Sequence, residues 1–219
     1  MTDKESYLFL GSAAAAASEM ISGLSLPTRT RPVFRPEHAA LLLLDLQRYF
    51  LDPSSHAFIP SAAAILPGLR NLAAVFRRRD RPVIWTRHGN TPDDAGRMAD
   101  WWKDLIRPGT PEHALGLDAD SADLVIDKTR YDAFQDTPLE SVLRSNHAEQ
   151  VVIGGVAAHL CCETTARAAF MRDFDVFFLA DGSADFTRAF HAAAMLNLGH
   201  GFARLVFVKE VSALLGEAG

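Results

Sequence analysis

Three residues of this chain, Cys161, Asp45 and Lys128, have the side chains of a hydrolytic site if a fold brings them together. Cys161 follows an apolar stretch and a Gly154-Gly155 turn, at the start of an expected helix running from about Cys161 to Arg172. Unsatisfied N–H groups and the dipole at such a position favour an anion. They would lower the thiol pKa and help to stabilise an oxyanion. The competing reading is a small buried core cysteine; for its neighbour Cys162, packing is the reading adopted. Asp45 comes directly after four leucines, where a carboxylate is costly to bury without a partner. It suits a general base within reach of a thiol, or alternatively a cap or loop salt bridge. Lys128 lies in the stretch DKTRYDAF; beside Asp45 it would keep the carboxylate ionised, and otherwise it is a solvated loop charge.

The elements that must position these residues alternate regularly. Strands are expected at Ala39–Leu44, Pro82–Thr86, Leu124–Ile126, Gln150–Ile153, Val176–Leu179 and Leu205–Val208. Helices are expected at Ser61–Arg79, Pro138–Ser145 (capped by Thr137), Cys161–Arg172 and Arg188–Leu198. Repeated β-α-β units predict a single α/β domain: a doubly wound, six-stranded parallel sheet with helices on both faces. In that order the first and fourth strands are neighbours at a switch point, where ligands bind beyond the carboxyl ends. Asp45 and the turn before Cys161 both fall there, whereas Lys128, after the third strand, must reach inward. Residues 1–36 read as an N-terminal extension to a domain at 37–219, with Ala13–Ala17 favouring helix. The insert from His88 to Ala122, with a short helix around Met98–Ile106, is expected to wall the pocket. Trp101 and Trp102 in it either stack on a substrate ring or pack.

Composition narrows the classes. The 219 residues suit one core, and a formal net charge of −5 lacks the basic footprint of a nucleic-acid binder. Arg77-Arg78-Arg79 with Arg81 reads as the solvated end of a helix. The two cysteines are adjacent and form no disulfide framework, so a reducing cytoplasm is expected. No apolar run reaches the roughly 18–20 residues of a membrane span. Asp3 and Glu5 stand where a signal peptide needs positive charge, which leaves a leader as the lesser reading.

Three motifs in order carry a family resemblance: LLLLDLQRYF with Asp45, DKTRYDAF with Lys128, and GGVAAHLCCETTARAAF with Cys161. Over about Pro36 to Val211 the chain resembles the isochorismatase-like hydrolases, which include nicotinamidases, carbamoyl-sarcosine amidases and isochorismatases. The resemblance implies a six-stranded parallel sheet and a homo-oligomer, dimer or tetramer. It also implies a cis peptide between Val156 and Ala157 that aims the N–H groups of Ala157 and Cys161 at one point as an oxyanion hole.

Two departures from the family pattern bear on function. Nicotinamidases bind a metal through an Asp/His cluster after the second strand. Here Trp85-Thr86-Arg87-His88-Gly89-Asn90 has a single histidine, so no metal and no other cofactor is expected. His88 then reads as a substrate contact or a surface residue. True isochorismatases, which AHLCCETTARAAFMRDF and ADGSADF resemble, characteristically have glycine where Cys161 stands. The favoured expectation is cysteine-dependent hydrolysis of a small carboxamide through a thioester, with Asp45, Lys128 and Cys161 catalytic. The alternative is vinyl ether hydrolysis of isochorismate with Asp45 as general acid. Substrate contacts are expected from Arg87, His88, Arg130, Tyr131 and His159, with Arg87 and Arg130 meeting carboxylates in the alternative reading or else serving as surface charges. A catalytically silent scaffold or carrier-binding module is the third reading. Against it stand the three retained residue types and the eleven residues after Val208, too few for a carrier domain.

Overall fold

The computed structural model describes residues 3–28, 31–117 and 119–216. Its sheet begins where the sequence is most apolar. Strand β1 (Ala39–Leu44) is buried along its whole length, as is β4 (Gln150–Gly155). These two pair in parallel, with Leu44 opposite Gly155, at the centre of a six-stranded sheet of order β3-β2-β1-β4-β5-β6. The outer members are β2 (Val83–His88), β3 (Leu124–Lys128), β5 (Asp175–Ser183) and β6 (Ala203–Val206). All pairs are parallel. Each fully buried leucine of β1 contributes about 1.5–3 kcal/mol of transfer free energy.

The crossovers are helical: α2 (Ala62–Arg78) after β1, α3 (Leu139–Ser145) after β3, α4 (Glu163–Phe170) after β4, and α5 (Arg188–Gly201) after β5. Right-handed connections carry α2 to one face and α4 and α5 to the other, because the chain reverses its direction of travel across the sheet between β3 and β4. Accordingly α4 packs on α5, while α2 packs on a last helix, α6 (Val208–Leu214). The sequence reading missed α6. It also ended β2 two residues early and β3 before Lys128, which is the last residue of that strand.

The N-terminal extension is integral to the packing. Helix α1 (Ala13–Ser22) lies against β5 and α5, and Leu8, Ala17 and Met20 are buried in the main core. The insert between β2 and β3 contains one helical turn, Met98–Trp101, and a 3-10 turn at Pro111–His113. No helix among the described residues is long and apolar enough to cross a membrane.

Candidate active site

Asp45 leaves β1 with φ of 51°, in the left-handed region that an aspartate tolerates better than most residues. Its backbone N–H donates to the Thr86 hydroxyl at 3.2 Å, and that hydroxyl donates to Asp45 Oδ1 at 2.6 Å. The side chains of Asp45 and Lys128 are fully buried, with Lys128 Nζ 2.8 Å from Asp45 Oδ2. The ammonium also donates to the Arg130 carbonyl at 2.9 Å, the Tyr131 carbonyl at 3.4 Å and Cys161 Sγ at 3.4 Å. The structure therefore brings together the three residues singled out by chemistry, from the ends of β1 and β3 and from the turn that follows β4.

Burial opposes charge on both partners, yet each holds the other ionised. Asp45 lies below the ordinary carboxylate range, lowered chiefly by the Lys128 ammonium. Lys128 is raised by Asp45 and by Cys161. Burial and the adjacent Asp45 push the Cys161 thiol well up, with Lys128 opposing. This corrects the expectation of a thiol acidified by a helix start. Cys161 is the fourth residue of a π-turn, Ala158–Cys162, that precedes α4, and it is 4 % exposed. Dehydration and a neighbouring carboxylate outweigh the dipole there. The resting arrangement is a neutral thiol beside an ionised base. Cys162 is buried in the core.

The Val156–Ala157 peptide is cis, as the resemblance implied, and Ala157 and Cys161 both line one cavity of about 380 Å3. Gly155 makes the approach feasible. Its φ is +124°, and a Cβ there would lie 2.1 Å from the Leu44 carbonyl oxygen. The cavity wall is largely apolar, with Phe50, Met98, Trp102, Leu160, Phe186 and Phe190 contributing. The insert supplies part of it, as expected; Trp102 lines the cavity, whereas Trp101 is 79 % exposed.

Of the five expected substrate contacts, His88, Tyr131 and His159 line the cavity. His88 is held by buried Gln47, whose amide Nε2 donates to the His88 carbonyl at 3.0 Å while Oε1 accepts from the His88 N–H at 2.8 Å. Burial, reinforced by Lys128, lowers the His88 pKa to about 4, so the ring is neutral. His159 Nδ1 lies 2.7 Å from Oδ2 of buried Asp185, and its ring stacks on Phe190 at 4.3 Å. The other two are elsewhere. Arg87 forms a two-point pair with Asp127 at 2.7 and 2.9 Å, and Arg130 donates to the carbonyls of Asp94 and Thr129. Neither lines the cavity, because each guanidinium finds its acceptors beside its own strand end. Sequence reasoning missed Thr86, Asp185 and Tyr7. A Thr in a buried strand carries no local signal, and Asp185, although it lies in the ADGSADF stretch, has no role assigned from sequence; only the tertiary pairing shows their use.

A resident metal does not fit. Among the described residues no group of three His, Cys, Asp or Glu side chains is placed to hold one. Beside His88 stands Asn90, and His88 Nδ1 and Asn90 Oδ1 are both buried without a hydrogen-bond partner.

A doubly wound sheet with a cysteine, a carboxylate and an ammonium gathered at its switch point defines an α/β protein with a nucleophile-type site. The comparisons narrow this. A family model described as the Isochorismatase domain matches residues 39–210. The chain is 36% identical over 174 residues to Nicotinamidase 3 of Arabidopsis thaliana, covering 77% of this chain and 84% of that protein. It is 33% identical over 184 residues to Enterobactin synthase component B of Escherichia coli K12, covering 81% of this chain and 64% of that one. A cysteine hydrolase from Pseudomonas syringae pv. phaseolicola superposes with a TM-score of 0.82 at 24% identity, covering 86% of this chain and 97% of that chain. The chain belongs to the isochorismatase family and is a hydrolase of it.

Proposed function

We propose that this hydrolase cleaves a small, neutral carboxamide with an apolar or aromatic body, through a thioester on Cys161. The observation that carries this reading is the Sγ at the cavity wall, 3.4 Å from an ammonium that is itself paired to a buried, ionised carboxylate. As Sγ attacks the carbonyl carbon, Asp45 takes the thiol proton. The N–H groups of Ala157 and Cys161 receive the oxyanion. Asp45 then passes the proton to the leaving nitrogen, and ammonia or an amine departs. A water that gives its proton to Asp45 attacks the thioester, and Sγ leaves, recovering that proton. Lys128 remains charged throughout and keeps Asp45 a base.

The cavity lining supports a neutral substrate. Among the described residues that form it, Lys4 is the one Lys or Arg side chain. His88 and Asn90 place uncharged polar side chains on the cavity wall. Vinyl ether hydrolysis of isochorismate stands second: it needs cations for the substrate carboxylates, and Arg87 and Arg130 are committed to other acceptors.

The deciding experiment measures ammonia release from nicotinamide and benzamide and pyruvate release from isochorismate, each with wild type and Cys161→Ala. The amide reading expects ammonia release that Cys161→Ala abolishes. Pyruvate release surviving in Cys161→Ala would replace it with the vinyl ether reading.

A further inference from the structure

Residues 4–8 lie outside the span matched by the family, yet they dock beside the cavity wall. The Glu5 N–H donates to the Phe186 carbonyl at 2.9 Å, and Glu5 Oε2 accepts the Arg188 N–H at 2.8 Å, at the start of α5. The N–H groups of Tyr7 and Leu8 both donate to the hydroxyl of buried Ser61, at 2.9 and 3.1 Å. The segment is thus pinned against the stretch that supplies Phe186 and Phe190 to the cavity, and Lys4 reaches the cavity itself.

The hydrogen bonds at its centre run through Tyr7. Its hydroxyl accepts from the Asp185 backbone N–H at 2.8 Å and pairs with His191 Nδ1, 3.1 Å away. His191 is buried and neutral, its pKa lowered to about 4 by burial, and can accept there. At the other end, the Asp185 carboxylate accepts from the His159 backbone N–H at 2.8 Å and from the Phe186 N–H at 2.7 Å. Both of its oxygens also face His159 Nδ1, at 2.9 and 2.7 Å. A carboxylate has only acceptor sites to offer. In the neutral ring Nδ1 must therefore carry the proton, which leaves Nε2 as the acceptor on a side chain that lines the cavity.

We propose that the N-terminal segment is a working part of the active site: Tyr7 and Asp185 are positioning residues that hold His159 as its Nδ1–H tautomer, so that Nε2 accepts a hydrogen bond from an N–H of the substrate. What Nε2 meets rests on the carboxamide reading; the tautomer and its anchoring do not. The substrate class narrows to amides that present an N–H away from the attacked carbon, as a free amide NH2 or a ring N–H.

The test is long-range 1H–15N NMR of the full chain labelled in histidine at about pH 8, with His159 assigned by its absence in His159→Gln. It is paired with kcat and KM for nicotinamide, or for whichever amide wild type turns over. The ring should be in the Nδ1–H form in wild type. The share of the Nδ1–H form should fall in Asp185→Asn, whose amide keeps one acceptor oxygen where the carboxylate offered two. Tyr7→Phe and Asp185→Asn should raise KM roughly tenfold, the scale of one lost hydrogen bond, with kcat within about threefold. His159→Gln, which keeps an acceptor, should recover most of what His159→Ala loses. Should Tyr7→Phe fail to fold, Glu5→Ala loosens the same segment from an exposed position, with the same direction expected. A wild-type ring in the Nε2–H form overturns the proposal, as does KM within twofold of wild type in the Tyr7 or Glu5 variant. If Cys161→Ala still turns over the amide while His159 is in the Nδ1–H form, the thioester reading fails and the anchoring stands.

Discussion

Lys128→Met tests the electrostatic centre of the site, because it removes the ammonium and keeps most of the stem. The wild-type charges are 2.8 Å apart with both side chains fully buried. At an effective dielectric of about 20 their attraction is about 6 kcal/mol, much of it offsetting the cost of dehydrating two ions. Removing one partner leaves the other uncompensated, at about 3–5 kcal/mol, unless Asp45 escapes by binding a proton. The penalty therefore depends on pH, with a sign that follows from the pKa directions. In wild type the Asp45 carboxyl is held below its unfolded value, so its contribution is present above about pH 3.9 and is lost as pH falls through the folded value. Without Lys128, burial reverses the shift. The folded carboxyl then lies above its unfolded value, and each pH unit between the two costs about 1.4 kcal/mol. Urea denaturation of both proteins at pH 5, 6, 7 and 8 measures this. The stability gap should widen with pH from about 1 to at least 3 kcal/mol, and residual turnover should move to higher pH. A gap that is constant across that range, or that stays below about 1 kcal/mol, would refute the ion-pair argument.

Three further outcomes follow from the geometry. His191→Leu should flatten the acid limb of the stability curve: the buried imbalance between an ordinary value of 6.5 and a folded value of about 4 is lost as pH falls between them, worth about 3 kcal/mol in a pH series of thermal melts. Gly155→Ala should cost more than about 4 kcal/mol or prevent soluble expression, since its Cβ would meet the Leu44 backbone at 2.1 Å from a left-handed φ. Arg87→Gln should leave KM for the amide within about twofold of wild type while lowering stability by less than about 1 kcal/mol, because its partner Asp127 is 61 % exposed and outside the cavity.

The strand order was legible because β1 and β4 are continuous apolar runs, the mark of strands covered on both faces. Asp45 and Cys161 were legible for the same reason: each interrupts or follows such a run at its carboxyl end. Lys128 was read as a loop residue that must reach inward, whereas it ends β3 and is carried in by the strand itself. The thiol's electrostatics were not legible, since they depend on burial and on Asp45, 116 positions away in the chain. Arg87 and Arg130 misled because a cation's partner is a tertiary fact, and Asp127 and two carbonyls had the prior claim. The extension was read as an appendage because an alanine-rich helix and a lone tyrosine have no periodic signature; their place came from Ser61, Asp185 and α5.

The central pairing of β1 with β4 also shapes how the chain can be made. The ribosome delivers Leu44 long before Gly155, its partner across the sheet. At about 5–20 residues per second, roughly 6–22 s separate the two. Through that interval β1 can add β2 along one side, while its other side offers six apolar residues and a row of unpaired backbone groups to any passing strand. The half-made sheet already contains Asp45 and Lys128 and still lacks the thiol, so a nascent chain is sticky before it is reactive. Until β4 emerges, that edge is the side on which the growing chain is open to wrong pairing, a consequence of the order in which the strands are made.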